Sequence, residues 1–257
     1  MTDDAPLHRD RRRAGSFGAA AEQYDRHRPK YPADLISGVV GRPGVHALDV
    51  GAGTGIASRQ LAGAGAEVLA VEPDPNMARM AADKGVRVEV ASFEEWDPAG
   101  RTFDLVVFAQ SFHWVEPRGA LAKVASILRP GGRLALLWNR ITPVRPTLEQ
   151  FDAAYAGLLD EWKRPSTTIE SDDELGPLLA AAGFSAERRR CVEDLHFSTA
   201  DWVEMVTTYS NVLSLTPGDQ AELRSRLQRC IGTMGVAATN DALAVVCTLN
   251  QASAAEP

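Results

Sequence analysis

Residues 47–55 read Ala-Leu-Asp-Val-Gly-Ala-Gly-Thr-Gly, and Val71-Glu72-Pro73 follows after one helical segment. The first four residues predict a buried strand, and the glycines after them predict a loop whose backbone can approach a ligand closely. Glu72 ends the next predicted strand, where its carboxylate can accept hydrogen bonds from both hydroxyl groups of a ribose. Together the two stretches predict a nucleoside site at the carboxyl edge of an α/β sheet.

The spacing of the glycines narrows the kind of nucleoside. Gly51, Gly53 and Gly55 form G-x-G-x-G, whereas a dinucleotide pyrophosphate is typically bound by G-x-G-x-x-G at a helix N-terminus. Asp49 precedes the loop directly, and its negative charge would repel phosphates and suit a cationic or amine-bearing ligand. Taken singly, the glycines are also compatible with an ordinary tight turn, and Glu72 with a solvated loop carboxylate.

Outward from this stretch, short apolar runs alternate with helical patterns. Continuous apolar strands separated by helices are typical of a parallel, doubly wound sheet. We expect an α/β fold with a mostly parallel, seven-stranded, Rossmann-like sheet. The predicted strands are 47–50, 68–71, 86–91, 103–108, 133–138, 187–197 and 242–249, and the predicted helices of this core are 56–64, 75–84, 119–128 and 172–182.

After Asn139 the pattern changes, and amphipathic segments at 148–162, 202–213 and 219–232 predict helices outside the sheet. We interpret them as insertions that form a helical cap over the ligand edge. The predicted division is 1–33 N-terminal tail and lid segment, 34–142 cofactor-binding core, 143–170 helical insertion, 171–198 core helix and strand, 199–238 helical cap, and 239–257 last core strand and tail.

Composition excludes several functions. The chain has 257 residues with 45% hydrophobic content, enough for one large domain, and a net charge of −7 that argues against general binding to nucleic acid or membrane surfaces. Its 3 cysteines show no disulfide or zinc spacing. The sequence shows no apolar signal segment or membrane span. We expect a cytoplasmic protein that acts on a small molecule, as a monomer or homodimer, without a metal.

The quoted motifs resemble those of class I S-adenosylmethionine-dependent methyltransferases of type 11. Residues 48–55 are similar to the first motif of that family, residues 71–74 to its second, and residues 128–132 to the turn before its fifth strand. Ser92 stands where an aspartate usually precedes the adenine-edge position. The resemblance implies S-adenosylmethionine as cofactor, with S-adenosylhomocysteine as product. It implies these cofactor-binding residues: Tyr24, Arg28, Asp49, Gly51, Ala52, Gly53, Thr54, Gly55, Glu72, Pro73, Met77, Ser92, Phe93, Glu94, Gln110 and Phe112.

Residues 24–32 and 110–114 also resemble segments of a subgroup that includes trans-aconitate methyltransferase-like enzymes. His113 is the candidate catalytic base, and packing of the pocket floor by His113 and Trp114 is the alternative. Arg28, Arg140 and Arg145 are candidates for binding an acidic substrate, or are ordinary surface arginines. The candidate substrate-binding residues are Tyr31, Trp114, Asn139, Arg140 and Tyr209, although aromatic packing would also explain the tyrosines.

These residues predict methyl transfer to a small molecule, with oxygen (carboxylate or hydroxyl) favoured as acceptor. Two alternatives belong to other classes. An NAD-dependent oxidoreductase would use a similar sheet but a longer glycine spacing. A catalytically silent cofactor-binding protein would keep the glycine loop and lose the chemistry.

Overall fold

The computed structural model describes residues 17–159 and 172–250, and a seven-stranded sheet runs through this part of the chain. Its strand order is β3-β2-β1-β4-β5-β7-β6, with β7 antiparallel to both of its neighbours. The other pairings are parallel, so the predicted fold class is confirmed. The strands are β1 His46–Val50, β2 Glu67–Glu72, β3 Arg87–Val90, β4 Phe103–Ala109, β5 Leu128–Arg145, β6 Phe184–Phe197 and β7 Val236–Leu249.

Helices cover both faces of this sheet. Because side chains alternate along a strand, Leu48 and Val50 of β1 pack on one face while Ala47 packs on the other. In the described residues no helix has the length and apolar content to cross a membrane. The helices are α1 Ala21–His27, α2 Ala33–Val40, α3 Ile56–Gly63, α4 Pro75–Asp83, α5 Pro117–Ile127, α6 Leu148–Tyr155, α7 Asp172–Ala181, α8 Thr199–Val206, α9 Ser210–Leu213 and α10 Pro217–Ile231.

The cap packs on extensions of two central strands. β5 continues through Pro143 to Arg145, and β7 already begins at Val236, so both strands run into segments predicted as insertions. These extensions bury Ile141 and Ala238 in a third apolar cluster together with cap residues such as Trp202. The cap is therefore joined to the sheet by continuous strand pairing and a shared apolar core.

Two predicted cap helices are shorter than expected. The helix predicted over 148–162 ends at Tyr155, and Gly157 follows with φ of 72°. The last residues of that prediction, 160–162, lie outside the described part, which omits 1–16, 160–171 and 251–257. The helix predicted over 202–213 divides into α8 and α9. Between them the Thr207 and Thr208 hydroxyls donate to carbonyl oxygens of α8, and such side-chain bonds compete with helical ones.

The structure also contains elements that the sequence did not predict. α1 lies in the segment predicted as tail and lid, and α2 follows it at the start of the core.

β1 and β4 lie next to each other although β2 and β3 intervene in the chain. Strand order therefore reverses between β1 and β4, and ligands of open α/β sheets bind at the carboxyl end of such a point.

Candidate cofactor and substrate site

A cavity of about 250 Å³ lies at this point of strand reversal, between the sheet edge, α1 and the turn after α8. Most of the residues predicted as cofactor-binding line it: Tyr24, Arg28, Gly51, Ala52, Gly53, Glu72, Pro73, Met77, Ser92, Phe93, Glu94 and Gln110. The candidate base and the predicted substrate residues line it as well: His113, Tyr31, Trp114, Asn139, Arg140 and Tyr209. Asp49, Thr54, Gly55, Phe112 and Arg145 do not belong to this lining.

The three loop glycines are needed for different reasons. All have positive φ, but a Cβ on Gly51 would lie 2.7 Å from the Cβ of Ser111. A Cβ on Gly55 would lie 3.0 Å from Val86, in the packing behind the loop. A Cβ on Gly53 would meet no atom within 4 Å. Of the three, only Gly53 leaves open space in the cavity.

Glu72 is held in the cavity wall by the backbone. Its Oε2 accepts a hydrogen bond from the Gly53 N–H at 2.7 Å, and its Oε1 accepts one from the Asp74 N–H at 2.9 Å. Burial raises the pKa of Glu72 to about 7, although these two hydrogen bonds act in the opposite direction. A carboxylate offers about four acceptor positions, so the two oxygens retain capacity for the two hydroxyl groups of a ribose.

Asp49 lies behind the loop, outside the cavity lining. Its side chain leaves β1 on the same face as Ala47, toward α3, because strand side chains alternate. The Ser58 hydroxyl on α3 donates to Asp49 Oδ2 at 2.6 Å, and burial raises the pKa of Asp49 to about 6. Its Oδ1 is buried and accepts no hydrogen bond within the residues that the structure describes, and the binding role of Asp49 stays a prediction.

Of the other residues outside the lining, Thr54 and Phe112 are buried near the cavity and Arg145 lies on the surface. Thr54 is fully buried within the loop. Phe112 packs edge-on against Phe108 with ring centroids 5.3 Å apart, in the core beneath the cavity. Arg145 ends β5 on the exposed surface.

The loop after β3 forms the wall beyond Glu72. Ser92, Phe93 and Glu94 contribute to the lining. The Ser92 hydroxyl donates to the Glu95 carboxylate at 2.9 Å, and Phe93 packs edge-on against Phe108 at 5.5 Å. This loop therefore presents one aromatic side chain and two polar ones to the cavity.

At the opposite end, a cation is stacked between two aromatic rings. The Arg28 guanidinium lies 4.8 Å from the ring of Tyr24 and 4.3 Å from that of Tyr209. Its Nε donates to the Thr208 hydroxyl at 2.8 Å and its Nη2 to the Thr208 carbonyl at 3.0 Å. Both acceptors are uncharged, so the positive charge is oriented without being neutralised, as an anion site requires.

Hydrogen bonds tie the cavity floor to the N-terminal segment. Gln110 has φ of 58° and donates through its amide to the Asn139 carbonyl at 3.0 Å. The Asn139 amide in turn donates to the Lys30 carbonyl at 3.1 Å. His113 lies on the 3₁₀ turn after β4, its ring 5.0 Å from that of Trp114.

The sequence missed several lining residues. Phe17 packs edge-on against Tyr24 and Trp114, at 5.9 and 6.0 Å. Ser111 also lines the cavity and belongs to the segment 110–114 that resembles the subgroup. Its small side chain, next to a glycine at position 51, is the signal in the sequence that could have indicated it. Ile141 and Ser210 also line the cavity, but they reach it through the strand extension and the cap, which no local pattern indicates.

The chain is similar in sequence to known proteins. A model of the methyltransferase domain family matches residues 48–136. A ubiquinone biosynthesis O-methyltransferase of Xanthomonas axonopodis is 31% identical over 164 residues, which cover 60% of this chain and 68% of that protein. The chain belongs to the class I S-adenosylmethionine-dependent methyltransferases. An uncharacterized methyltransferase of Mycobacterium tuberculosis is 41% identical over 127 residues, which cover 48% of this chain and 52% of that protein. The chain thus spans about half the length of that relative.

The fold of this chain is also found in a solved structure. A candidate type II methyltransferase from Anaeromyxobacter dehalogenans superposes with a TM-score of 0.61 at 23% identity, over 85% of this chain and 97% of that one. S-adenosylmethionine is the cofactor of the family, and the cavity fits it. Gly53 leaves room for a ligand, Glu72 retains acceptors for a ribose, and the loop after β3 offers an aromatic surface and polar groups for adenine.

Proposed function

We propose that this protein transfers a methyl group from S-adenosylmethionine to an oxygen atom, carboxylate or hydroxyl, of a small molecule. The observation that carries the proposal is that one cavity is lined both by the nucleoside-binding groups and by Arg28, His113 and Tyr209. A donor and an acceptor can therefore meet inside it. Binding both in one orientation contributes up to roughly 7–11 kcal/mol in favourable cases.

The donor end is formed by the carboxyl ends of the strands and the loops that follow them. Glu72 accepts hydrogen bonds from the ribose, Gly53 leaves space in which the cofactor approaches the loop backbone of Gly51 and Ala52, and Ser92 and Glu94 bind the adenine edge. The bound cofactor supplies a methyl group on a positively charged sulfur, which needs no further activation. We assign Pro73, Met77, Phe93 and Gln110, which also line the cavity, to the walls of this end, and Tyr24 to the side of Arg28.

The acceptor end contains two cations. Arg28 is stacked and oriented, and Arg140 also lines the cavity; either can bind a carboxylate of the acceptor or of the cofactor. Tyr31, Trp114, Asn139 and Tyr209 complete this wall. The name of the 31% identical Xanthomonas relative supports oxygen as the acceptor atom. The resemblance of residues 24–32 and 110–114 supports placement in the trans-aconitate methyltransferase-like subgroup.

The role of His113 depends on the acceptor. A carboxylate is deprotonated at neutral pH and needs no base. A hydroxyl group must lose its proton, and His113 is the residue of the cavity suited to accept it. If the acceptor is a hydroxyl group, replacing His113 by asparagine lowers kcat by about 10²–10⁴-fold. If the acceptor is a carboxylate, the same replacement changes kcat little.

The test uses S-adenosylmethionine with a radiolabelled methyl group and a panel of small carboxylic acids, phenols, alcohols and amines. We expect label on an oxygen: methyl esters release it in mild base, whereas methyl ethers keep it. We expect Arg28→Gln to raise the KM for the acceptor if Arg28 binds the acceptor, and the Kd for S-adenosylhomocysteine if it binds the cofactor. Label on nitrogen would overturn the choice of oxygen. Tight binding of S-adenosylhomocysteine without transfer to any acceptor would indicate the silent protein instead.

A further inference from the structure

Lys123 lies on α5, beneath the loop that follows β3, and is not part of the cavity lining. Its ammonium donates hydrogen bonds to three carbonyl oxygens of that loop. The acceptors are the carbonyls of Phe93 at 2.6 Å, of Glu94 at 3.2 Å, and of Trp96. An ammonium group has three N–H donors, so one side chain holds three carbonyls of a single turn.

The surroundings of the ammonium strengthen this arrangement. It lies 5.0 Å from the ring centre of Phe93 and 5.7 Å from that of Trp96, and both rings are buried. Burial lowers the pKa of Lys123, while the charges of Glu94 and Asp97 act in the opposite direction. The contacts to the Phe93 and Trp96 carbonyls are part-buried and the contact to the Glu94 carbonyl is exposed. Because a buried carbonyl without a donor is unfavourable, Lys123 stabilises the turn mainly through the carbonyls of Phe93 and Trp96.

The direction of these carbonyls also fixes the rest of the turn. In a trans peptide the C=O and N–H bonds point in opposite directions. The carbonyls of Phe93 and Glu94 point toward Lys123, and the N–H groups of Glu94 and Glu95 therefore point away from it; the Glu95 N–H donates to the Ser92 hydroxyl at 3.3 Å. The same turn places Ser92, Phe93 and Glu94 in the cavity wall.

We propose that Lys123 is a positioning residue that shapes the adenine pocket by holding the carbonyls of residues 93, 94 and 96. The inference rests on the proposed function and deepens it, since it concerns how this chain recognises the base of its cofactor. On the amino edge of adenine, N1 accepts a hydrogen bond and the 6-amino group donates one, whereas N1 of hypoxanthine carries a proton and the 6-oxo group accepts, and such hydrogen bonds are directional. A turn held in one conformation can distinguish that edge from the oxo group of hypoxanthine, whereas a loosened turn adapts to either.

The test compares two thioethers by calorimetry, S-adenosylhomocysteine and S-inosylhomocysteine. Lys123→Met keeps an apolar stem and removes the donors; we expect it to weaken S-adenosylhomocysteine binding by about tenfold and to weaken S-inosylhomocysteine binding less. The ratio of the two affinities therefore falls. Lys123→Arg restores part of this ratio because it retains charged donors. Arg118→Met is the matched control, since it removes a cation from an exposed position on the same helix, and we expect wild-type affinities.

Several outcomes would overturn the proposal. An unchanged affinity ratio in Lys123→Met would do so, and so would an equal loss for both thioethers, because a general loosening of the fold weakens both alike. If Lys123→Met does not fold, Lys123→Gln takes its place, and an unchanged ratio there has the same meaning. Failure of the wild-type protein to bind S-adenosylhomocysteine is a different result, because it removes the proposed function itself and this role with it.

Discussion

At the scale of single residues, Gly53 and Gly85 have similar backbone surroundings, so the same substitution at both positions can be compared. Both have positive φ, 58° and 83°, and neither has an atom within 4 Å of the place where a Cβ would stand. Gly53 lines the cavity, whereas Gly85 follows α4. Alanine at either position adopts a strained backbone that costs about 1–2 kcal/mol, but only at position 53 does the methyl group enter the proposed donor site.

We expect Gly53→Ala to weaken S-adenosylhomocysteine binding at least tenfold, and Gly85→Ala to leave it unchanged. Both variants should unfold at similar, slightly lowered temperatures. Calorimetry and thermal unfolding check the two expectations. Wild-type affinity in Gly53→Ala would show that the loop does not approach the ligand.

The raised pKa of Glu72 predicts that cofactor binding depends on pH. Burial raises its pKa to about 7, and ribose hydroxyls donate best to the ionised carboxylate. Below this pKa the protein must lose a proton to bind. The affinity for S-adenosylhomocysteine should therefore rise with pH, by up to about tenfold per unit, and level off above about pH 7.

The matched variant is Glu72→Gln, which keeps the side-chain shape and cannot ionise. We expect it to bind about tenfold more weakly at pH 8 and to lack the rise between pH 5 and 7. Titrations at several pH values measure both effects. A wild-type affinity independent of pH, or the same slope in the variant, would contradict the assigned role of Glu72.

At the scale of elements, α1 connects the two halves of the cavity. Asp25 pairs with Arg59 of α3 at 3.0 Å and with Lys84, while Gln23 donates to the Thr207 hydroxyl of the cap at 2.7 Å. α1 is short and held largely by such polar contacts, so we expect its amides to exchange faster than those of β1 and β4.

Asp25→Asn removes the charge that pairs with α3 and Lys84. We expect faster hydrogen exchange in α1, unchanged exchange in the sheet, and slower exchange in α1 when S-adenosylhomocysteine is bound. Mass spectrometry of exchange resolves these segments. Uniform acceleration across sheet and α1 would indicate global destabilisation, and an unchanged α1 would show that the Asp25 pairs do not hold it.

The elements of the sheet follow from local pattern, and those of the cap do not. β1, β2 and β4 are apolar runs next to glycine or acidic turns, so their presence and direction could be predicted. The division between α8 and α9 depends on hydrogen bonds from Thr207 and Thr208 to the backbone, which a helical pattern hides. The extension of β5 past Pro143 depends on pairing with β7, a partner distant in the chain.

At the scale of the whole molecule, one end of the cavity could be predicted from local sequence pattern and the other end could not. Its donor end is built from loops directly after strands, and the sequence predicted Gly51, Gly53 and Glu72 there. The sequence also predicted Asp49, whose side chain lies behind the loop because its face of β1 turns toward α3. The acceptor end depends on contacts across the fold: Arg28 binds Thr208, 180 positions away. The motif containing Arg28 indicated the residue, but its stacking between Tyr24 and Tyr209 needed the structure.

The central claim is that this cavity binds the methyl donor with its ribose at Glu72 and its sulfur toward the acceptor end. The most direct test is a crystal structure of the protein with S-adenosylhomocysteine. We predict that both ribose hydroxyls lie within hydrogen-bond distance of the Glu72 carboxylate, adenine lies against residues 92–94, and sulfur faces the side of Arg28 and His113. A ligand bound outside the cavity, or one whose ribose does not contact Glu72, would contradict the account.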